Sequence, residues 1–165
     1  MIISSVELQR KLKKIIHFKV GTSELGLMPI YFRRVVSDTQ AISVMSKEYP
    51  KTNFDISIKD FSTENSIKKI PFLVFDNSDK LVGIVSKREI EKAHKKTRDL
   101  IKISDIMYTK FHTAQPDEYL YSVIQKMNSH PFDTIPIVDP ENSGKVIGII
   151  TDEGIMELLT DVKSK

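Results

Sequence analysis

Gly83-Ile84-Val85-Ser86-Lys87-Arg88-Glu89 holds the residue types best suited to chemistry in this chain. An apolar run there ends in a hydroxyl, two cations and a carboxylate. If the run is a buried strand and Ser86 opens a helix, the hydroxyl stands beside unpaired backbone N–H groups, a setting that suits a phosphate oxygen. Gly83 lets backbone and ligand approach closely because it has no Cβ. Glu89, three residues after Ser86, can accept two hydrogen bonds from a ribose diol. Lys68 and Lys69 join Lys87 and Arg88 near the phosphate position, and four cations in two short segments favour an anion. The same Ser-x-x-Glu spacing is also a capping box, in which both side chains satisfy the helix's own first N–H groups. Ligand binding and self-capping are both open at this point.

Other chemistries find no support. The chain has no cysteine, which excludes disulfides and thiolate chemistry and suits a reducing compartment. His17, His94, His112 and His130 show no metal-ligand spacing and read as surface or boundary residues. His130, just before Pro131, is kept as a lesser candidate for reaching a phosphate in a neighbouring cleft. There is no Gly-x-Ser-x-Gly elbow and no acidic pair set apart for acid/base work; Asp76, Asp139 and Glu141 read as solvated turn residues. Gly21 and Gly26 have P-loop spacing, but Leu27 and Met28 stand where that loop needs Lys and Ser/Thr. No enzyme chemistry is expected.

The elements that must position Ser86 and Glu89 come in duplicate. Ile70-Pro71 through Ile90, moved forward 65 positions, lies over Ile135-Pro136 through Ile155 without a gap. On that alignment Pro71 is equivalent to Pro136, Gly83 to Gly148 and Ser86 to Thr151. A second echo, at an offset of 79, returns Met28, Phe32, Asp38, Ser43 and Val44 as Met107, Phe111, Asp117, Ser122 and Val123. The difference implies about 14 extra residues in the first copy, between Met45 and Ile70. Two units of roughly 60 residues make a pseudo-twofold pair with related clefts between them.

Each unit reads as β-α-β-β-α, an α/β fold with helices over one face of a small sheet. In copy two, Lys102–Met107 leads into an extended stretch at Phe111–Ala114, and Pro116-Asp117 opens a helix with Leu120, Val123, Ile124 and Met127 inward. Thr134–Val138 and Lys145–Ile150 are strands around a turn cluster, and Thr151 starts a final helix with Ile155, Met156, Leu158 and Leu159 inside. Copy one repeats this with Val35-Val36 extended, a helix around Thr39–Lys47, strands near Pro71–Phe75 and Lys80–Val85, and a helix from Ser86. In the polar insertion at 50–69, Phe54, Ile56 and Ile58 alternate; a short strand, an ordered loop and a disordered loop all fit. Ahead of both copies, Ser4-x-x-Glu7 and the stripe Leu8, Leu12, Ile15 and Ile16 predict a basic amphipathic helix, which with its linker makes up residues 1–23.

The 165 residues are 40% apolar and 28% charged, ordinary for a soluble globular chain. No run reaches the 18 or more apolar residues of a membrane span, and the net charge of +3 is too small to argue for nucleic acid.

Met107 with Pro116-Asp117, Ile135-Pro136-Ile137-Val138-Asp139 and Val146-Ile147-Gly148-Ile149-Ile150-Thr151 resembles a cystathionine-beta-synthase (CBS) domain. Ile70-Pro71-Phe72-Leu73-Val74 and Leu81-Val82-Gly83-Ile84-Val85-Ser86 resemble a second one, the first domain spanning 24–96 and the second 97–165. The resemblance implies a tandem pair, a Bateman module, that senses an adenine nucleotide and regulates an attached or partnering protein. Its expected ligand is AMP, ADP or ATP, with S-adenosylmethionine or NAD less favoured; it implies a homodimer, a cytoplasmic location and no catalysis. Carried over by position, Ser86 matches the phosphate-side hydroxyl. Glu89 stands in the place of a ribose-binding Asp, with one methylene more of reach. In copy two Thr151 keeps the hydroxyl, but Gly154 replaces the carboxylate and Asp152-Glu153 replace Lys87-Arg88. The second cleft, with Thr151, Pro136, Gly148 and His130, is therefore expected to be the weaker one. The alternative is a ligand-free dimerisation or scaffold module, or the cytosolic part of a transporter such as a chloride channel.

Overall fold

The computed structural model describes residues 30–64, 71–94, 100–129, 131–142 and 144–161. The expected N-terminal helix, Lys68, Lys69 and His130 lie outside them. Among the described residues five strands and five α-helices follow one another along the chain. They are α1 (Ile30–Asp38), β1 (Lys51–Asn53), α2 (Ile58–Glu64), β2 (Phe72–Phe75), β3 (Leu81–Val85), α3 (Lys87–His94), α4 (Leu120–Asn128), β4 (Thr134–Val138), β5 (Val146–Thr151) and α5 (Asp152–Asp161).

Two small sheets result. In the first, β1 runs parallel to β2, which pairs antiparallel with β3. In the second, β4 and β5 are antiparallel, and Ala114 bridges in parallel to Ile137 at the place β1 occupies in the first. Period-two alternation sends each strand's apolar residues to two sides. Phe72, Val74 and Val85 pack outward against Ile58, Phe61 and Ile90 of the helices. Phe61 meets Phe72 edge-on at 4.9 Å. Ile135, Ile137 and Ile150 do the same against Val123, Ile155 and Leu159. Leu73, Phe75, Leu81 and Ile84 face Val138, Val146 and Ile149 across a shared middle layer. Tyr49 Oη closes one edge of that layer by donating to the Val146 carbonyl at 3.2 Å; burial and Asp79 raise its pKa.

The segments ahead of each unit cross over to the other. Ala41 N donates to Glu118 O at 2.7 Å, and Ile103 N to Ile56 O at 3.0 Å. Leu120 N donates to Thr39 O and Ile58 N to Ile101 O, both at 2.9 Å. Ser46 and Ile149 exchange two backbone bonds, as do Tyr108 and Ile84. Each bond has its twin, and the crossing segments and the first helices they bond to correspond at an offset of 62.

This offset corrects several expectations. The echo at 79 is accidental. Residues 50–69 are not an insertion, because β1 and α2 in this stretch are the repeat's own first strand and helix. Val35-Val36 lie in helix α1, where Phe32 and Val36 are buried against copy two. Thr39–Lys47 forms only a short 3-10 turn at Ala41–Ser43, the twin of Ile103–Asp105. Copy two's first helix begins at Leu120 rather than Pro116, since Pro116–Glu118 form a turn in which Gln115 N donates to the Glu118 carboxylate. Pro71 and Pro136 are not equivalent either. Val74 pairs with Gly83 and Ile137 with Gly148, so β2 matches β4 at an offset of 63 while β3 matches β5 at 65. Pro136 lies inside β4, whereas Pro71 precedes β2. The longer turn between Asp139 and Lys145 absorbs the difference. Gly83 and Gly148 do occupy the same strand position, as expected.

Glu118 anchors the turn ahead of α4. Its carboxylate accepts from Ser122 Oγ at 2.9 Å and from Lys126 Nζ at 2.7 Å. Burial pushes its pKa up, but Lys126, Gln115 N and Ser122 together outweigh that and hold it below the ordinary value. A carboxylate whose pKa is lower when folded adds stability above its unfolded pKa and loses it as pH falls through the folded one. Glu118→Gln is therefore expected to lower the melting temperature at pH 7 and to narrow its gap from wild type towards pH 3. Thermal melts across that range check this; a constant gap would contradict it.

Candidate functional site

Alternation along β3 decides which residues face the other copy. Ile84 packs in the middle layer and Val85 outward, so Ser86 continues the inward row. Phe72 pairs with Val85, and one step further along the ladder Pro71 comes opposite Ser86. Both are half-buried. Helix α3 starts at the next residue, and Glu89 in its first turn accepts the Ser86 hydroxyl proton in a hydrogen bond. Hydroxyl and carboxylate are thus held as a unit at the strand end.

The remaining first-cleft residues divide. Lys87 and Arg88 are exposed, and Lys87 Nζ lies 3.5 Å from Glu91 on the next turn. Gly83 does not open space to solvent. A Cβ there would lie 2.6 Å from Met107 Sδ, so the room it leaves is filled by the crossing segment. Gly148 does the same for Ser46 O, at 2.7 Å, and for Met45 Sδ, at 3.1 Å.

One residue that the sequence did not mark stands on the same row, against a second from copy two. Tyr108 sits directly opposite Ile84, which puts its ring on the middle-layer side. Tyr108 as a whole is 40% exposed, and its ring meets Phe132 of copy two edge-on at 5.6 Å. The only sequence signal was an aromatic residue immediately after Met107.

The second cleft is built differently. Thr151 Oγ1 accepts from Gly154 N at 3.1 Å, as a helix cap. Asp152 is 6% exposed, and its carboxylate accepts from Glu153 N at 2.8 Å while its own N–H donates to Asp133 O at 3.1 Å. The first N–H groups of α5 are therefore engaged from within, beside a buried carboxylate. Tyr108's counterpart here is Ser46, whose hydroxyl is bonded to Glu48. Among the described residues no His, Asp or Glu group is placed to hold a metal ion.

The family description "CBS domain" matches residues 103–161, which is copy two. A solved CBS domain pair of protein MJ0100, in complex with 5′-methylthioadenosine and S-adenosyl-L-methionine, is 30% identical. It covers 73% of this chain and 99% of that one, with a TM-score of 0.57. The chain is a tandem pair of CBS domains. Curated relatives carry similar sequence inside longer proteins. A homoserine O-acetyltransferase of Methanohalobium evestigatum is 29% identical over 84% of this chain. An inosine-5′-monophosphate dehydrogenase of Methanocaldococcus jannaschii is 36% identical over 56% of it. The matched stretches span 28% and 17% of their respective lengths. No helix among its described residues is long and apolar enough to cross a membrane.

Proposed function

We propose that this CBS pair is a non-catalytic regulatory module that takes one adenine nucleotide, of the AMP, ADP or ATP type, in its first cleft. The Ser86–Glu89 unit on the inward row carries the reading. A ribose diol would replace the serine hydroxyl as donor to the Glu89 carboxylate, freeing Ser86 to donate to a phosphate at the start of α3. Lys87 and Arg88 add positive charge there, and Lys68, Lys69 and Pro71 complete the proposed set. In the second cleft Thr151 and Asp152 already engage the helix N–H groups, and Asp152-Glu153 would repel a phosphate. The adenosyl ligands of the MJ0100 pair support the ligand class.

Because the clefts lie between copies that bond crosswise, a ligand favouring one arrangement of the copies shifts that arrangement, by no more than its differential affinity. The output passes to a protein that the CBS pair regulates, in a cytoplasmic setting. A thermal-shift panel of AMP, ADP, ATP, S-adenosylmethionine, methylthioadenosine and NAD tests the function. A ligand at 100 times its Kd is expected to add about 2.7 kcal/mol of stability. No shift with any adenosyl compound would remove the ligand-binding reading and leave a scaffold.

The pair also assembles as a twofold homodimer in this reading. Ile42 and Tyr119, 54% and 51% exposed, stand where the repeat has Ser104 and Ser57 in the other half. Sedimentation is expected to show dimer at micromolar concentration; only monomer at about 100 μM would contradict it.

A further inference from the structure

We infer that the outer face of α3 docks on the outer face of α5 of a second copy of this chain. The homodimer is then joined head to tail, copy one of each protomer against copy two of its partner; this rests on the homodimer reading. Helices α3 and α5 correspond at the same offset of 65 that relates β3 to β5, and Ile90 and Ile155 are fully buried at the matching point of each. The two helices therefore turn equivalent faces outward. On α3 that face carries Arg88 and Lys92, four apart and both exposed. On α5 the same two positions hold Glu153 and Glu157, also exposed, and Asp161 extends the row by one more turn.

Neither row is neutralised within the protomer. Lys87 of α3 lies 3.5 Å from Glu91, but among the described residues Arg88, Lys92, Glu153, Glu157 and Asp161 have no ion-pair partner. The exchange of sign does nothing for the fold of one chain, where both rows point to solvent. It does separate the two ways of pairing these helices about a twofold axis. Head to head, α3 faces α3 and α5 faces α5, and both contacts bring like charges together. Head to tail, α3 faces α5 twice, and both contacts set a cationic row against an anionic one. One exposed ion pair contributes little. The choice of arrangement depends instead on the difference between attraction and repulsion, summed over two rows in two contacts.

The chain has no cysteine, so introduced thiols report the arrangement directly. The full chain is prepared without nucleotide as Lys92→Cys, as Glu157→Cys and as the double variant, treated with a short bismaleimide and run on a denaturing gel. The double variant is expected to give a covalent dimer as its main product, and each single variant to stay mainly monomeric. Single variants that crosslink as well as the double one would mean head-to-head pairing and overturn the inference. A dimer in sedimentation that no variant traps would place the interface elsewhere and overturn it too. Only monomer in sedimentation at about 100 μM would remove the homodimer reading itself, and this inference with it. Charge reversal gives an independent check. Arg88→Glu with Lys92→Glu is expected to raise the dimer dissociation constant by about tenfold or more, and adding Glu153→Lys and Glu157→Lys to the same chain to bring it back within about threefold. An unchanged constant in the first protein, or no recovery in the second, would contradict the pairing of α3 with α5.

Discussion

Gly148→Ala is expected to lower the melting temperature clearly more than Gly83→Ala, although the two glycines occupy the same strand position. A Cβ on Gly148 would come within 2.7 Å of the Ser46 carbonyl oxygen. That backbone is tied to Ile149 by bonds of 2.8 and 2.9 Å, so retreat means breaking a bridge between the copies. Overpacking against fixed atoms costs about 1–3 kcal/mol, or roughly 2–12 °C for a chain of this size. At Gly83 the obstacle is Met107 Sδ and Cγ, at 2.6 and 2.9 Å, the outer atoms of a side chain with three rotatable bonds. Rotation of Met107 relieves most of that clash, and alanine's better strand propensity offsets part of the remainder. Thermal melts of the two variants decide it. A larger loss at Gly83 would mean that Met107 is locked and that the crossing segments are not equivalent in stiffness.

The second large effect falls on binding. Glu89→Gln is expected to weaken AMP binding on the order of tenfold or more, with little change in melting temperature. A charge-assisted hydrogen bond is worth roughly 1.5–3 kcal/mol, and a ribose diol makes two with a carboxylate. Glutamine still suits the third position of a capping box, so helix α3 keeps its start. If Ser86 and Glu89 only cap the helix, the variant binds AMP as wild type does.

What the sequence made legible was short-range. Strands β4 and β5, the cap at Thr151 and the inward row of α4 follow from short apolar runs around a turn cluster, hydroxyl placement and helical spacing over fewer than a dozen residues each. The fold class was readable for the same reason, since the β3–α3 and β5–α5 junctions carry their own signals. The first half of copy one was not. There Ala41 matches Ile103, Ile58 matches Leu120 and Phe61 matches Val123, exchanges that keep apolarity but not identity. Chance identities at an offset of 79 then outweighed the true one. The Ile70-Pro71 and Ile135-Pro136 dipeptides likewise concealed a two-residue slip that hydrogen-bond register and turn length determine. At the site, Ser86 and Glu89 were visible because they are close in sequence. Tyr108 and Phe132 come together only through the crossing segment and the second copy, which no local pattern encodes.

Titration calorimetry of AMP into the full chain bears most directly on the unequal clefts. One site per chain is expected in wild type, strongly weakened in Glu89→Gln and unaffected in number by Thr151→Ala, because Thr151 serves as a cap to α5. Two equal sites per chain in wild type, or heat that survives Glu89→Gln and vanishes in Thr151→Ala, would contradict a nucleotide held by the Ser86–Glu89 unit.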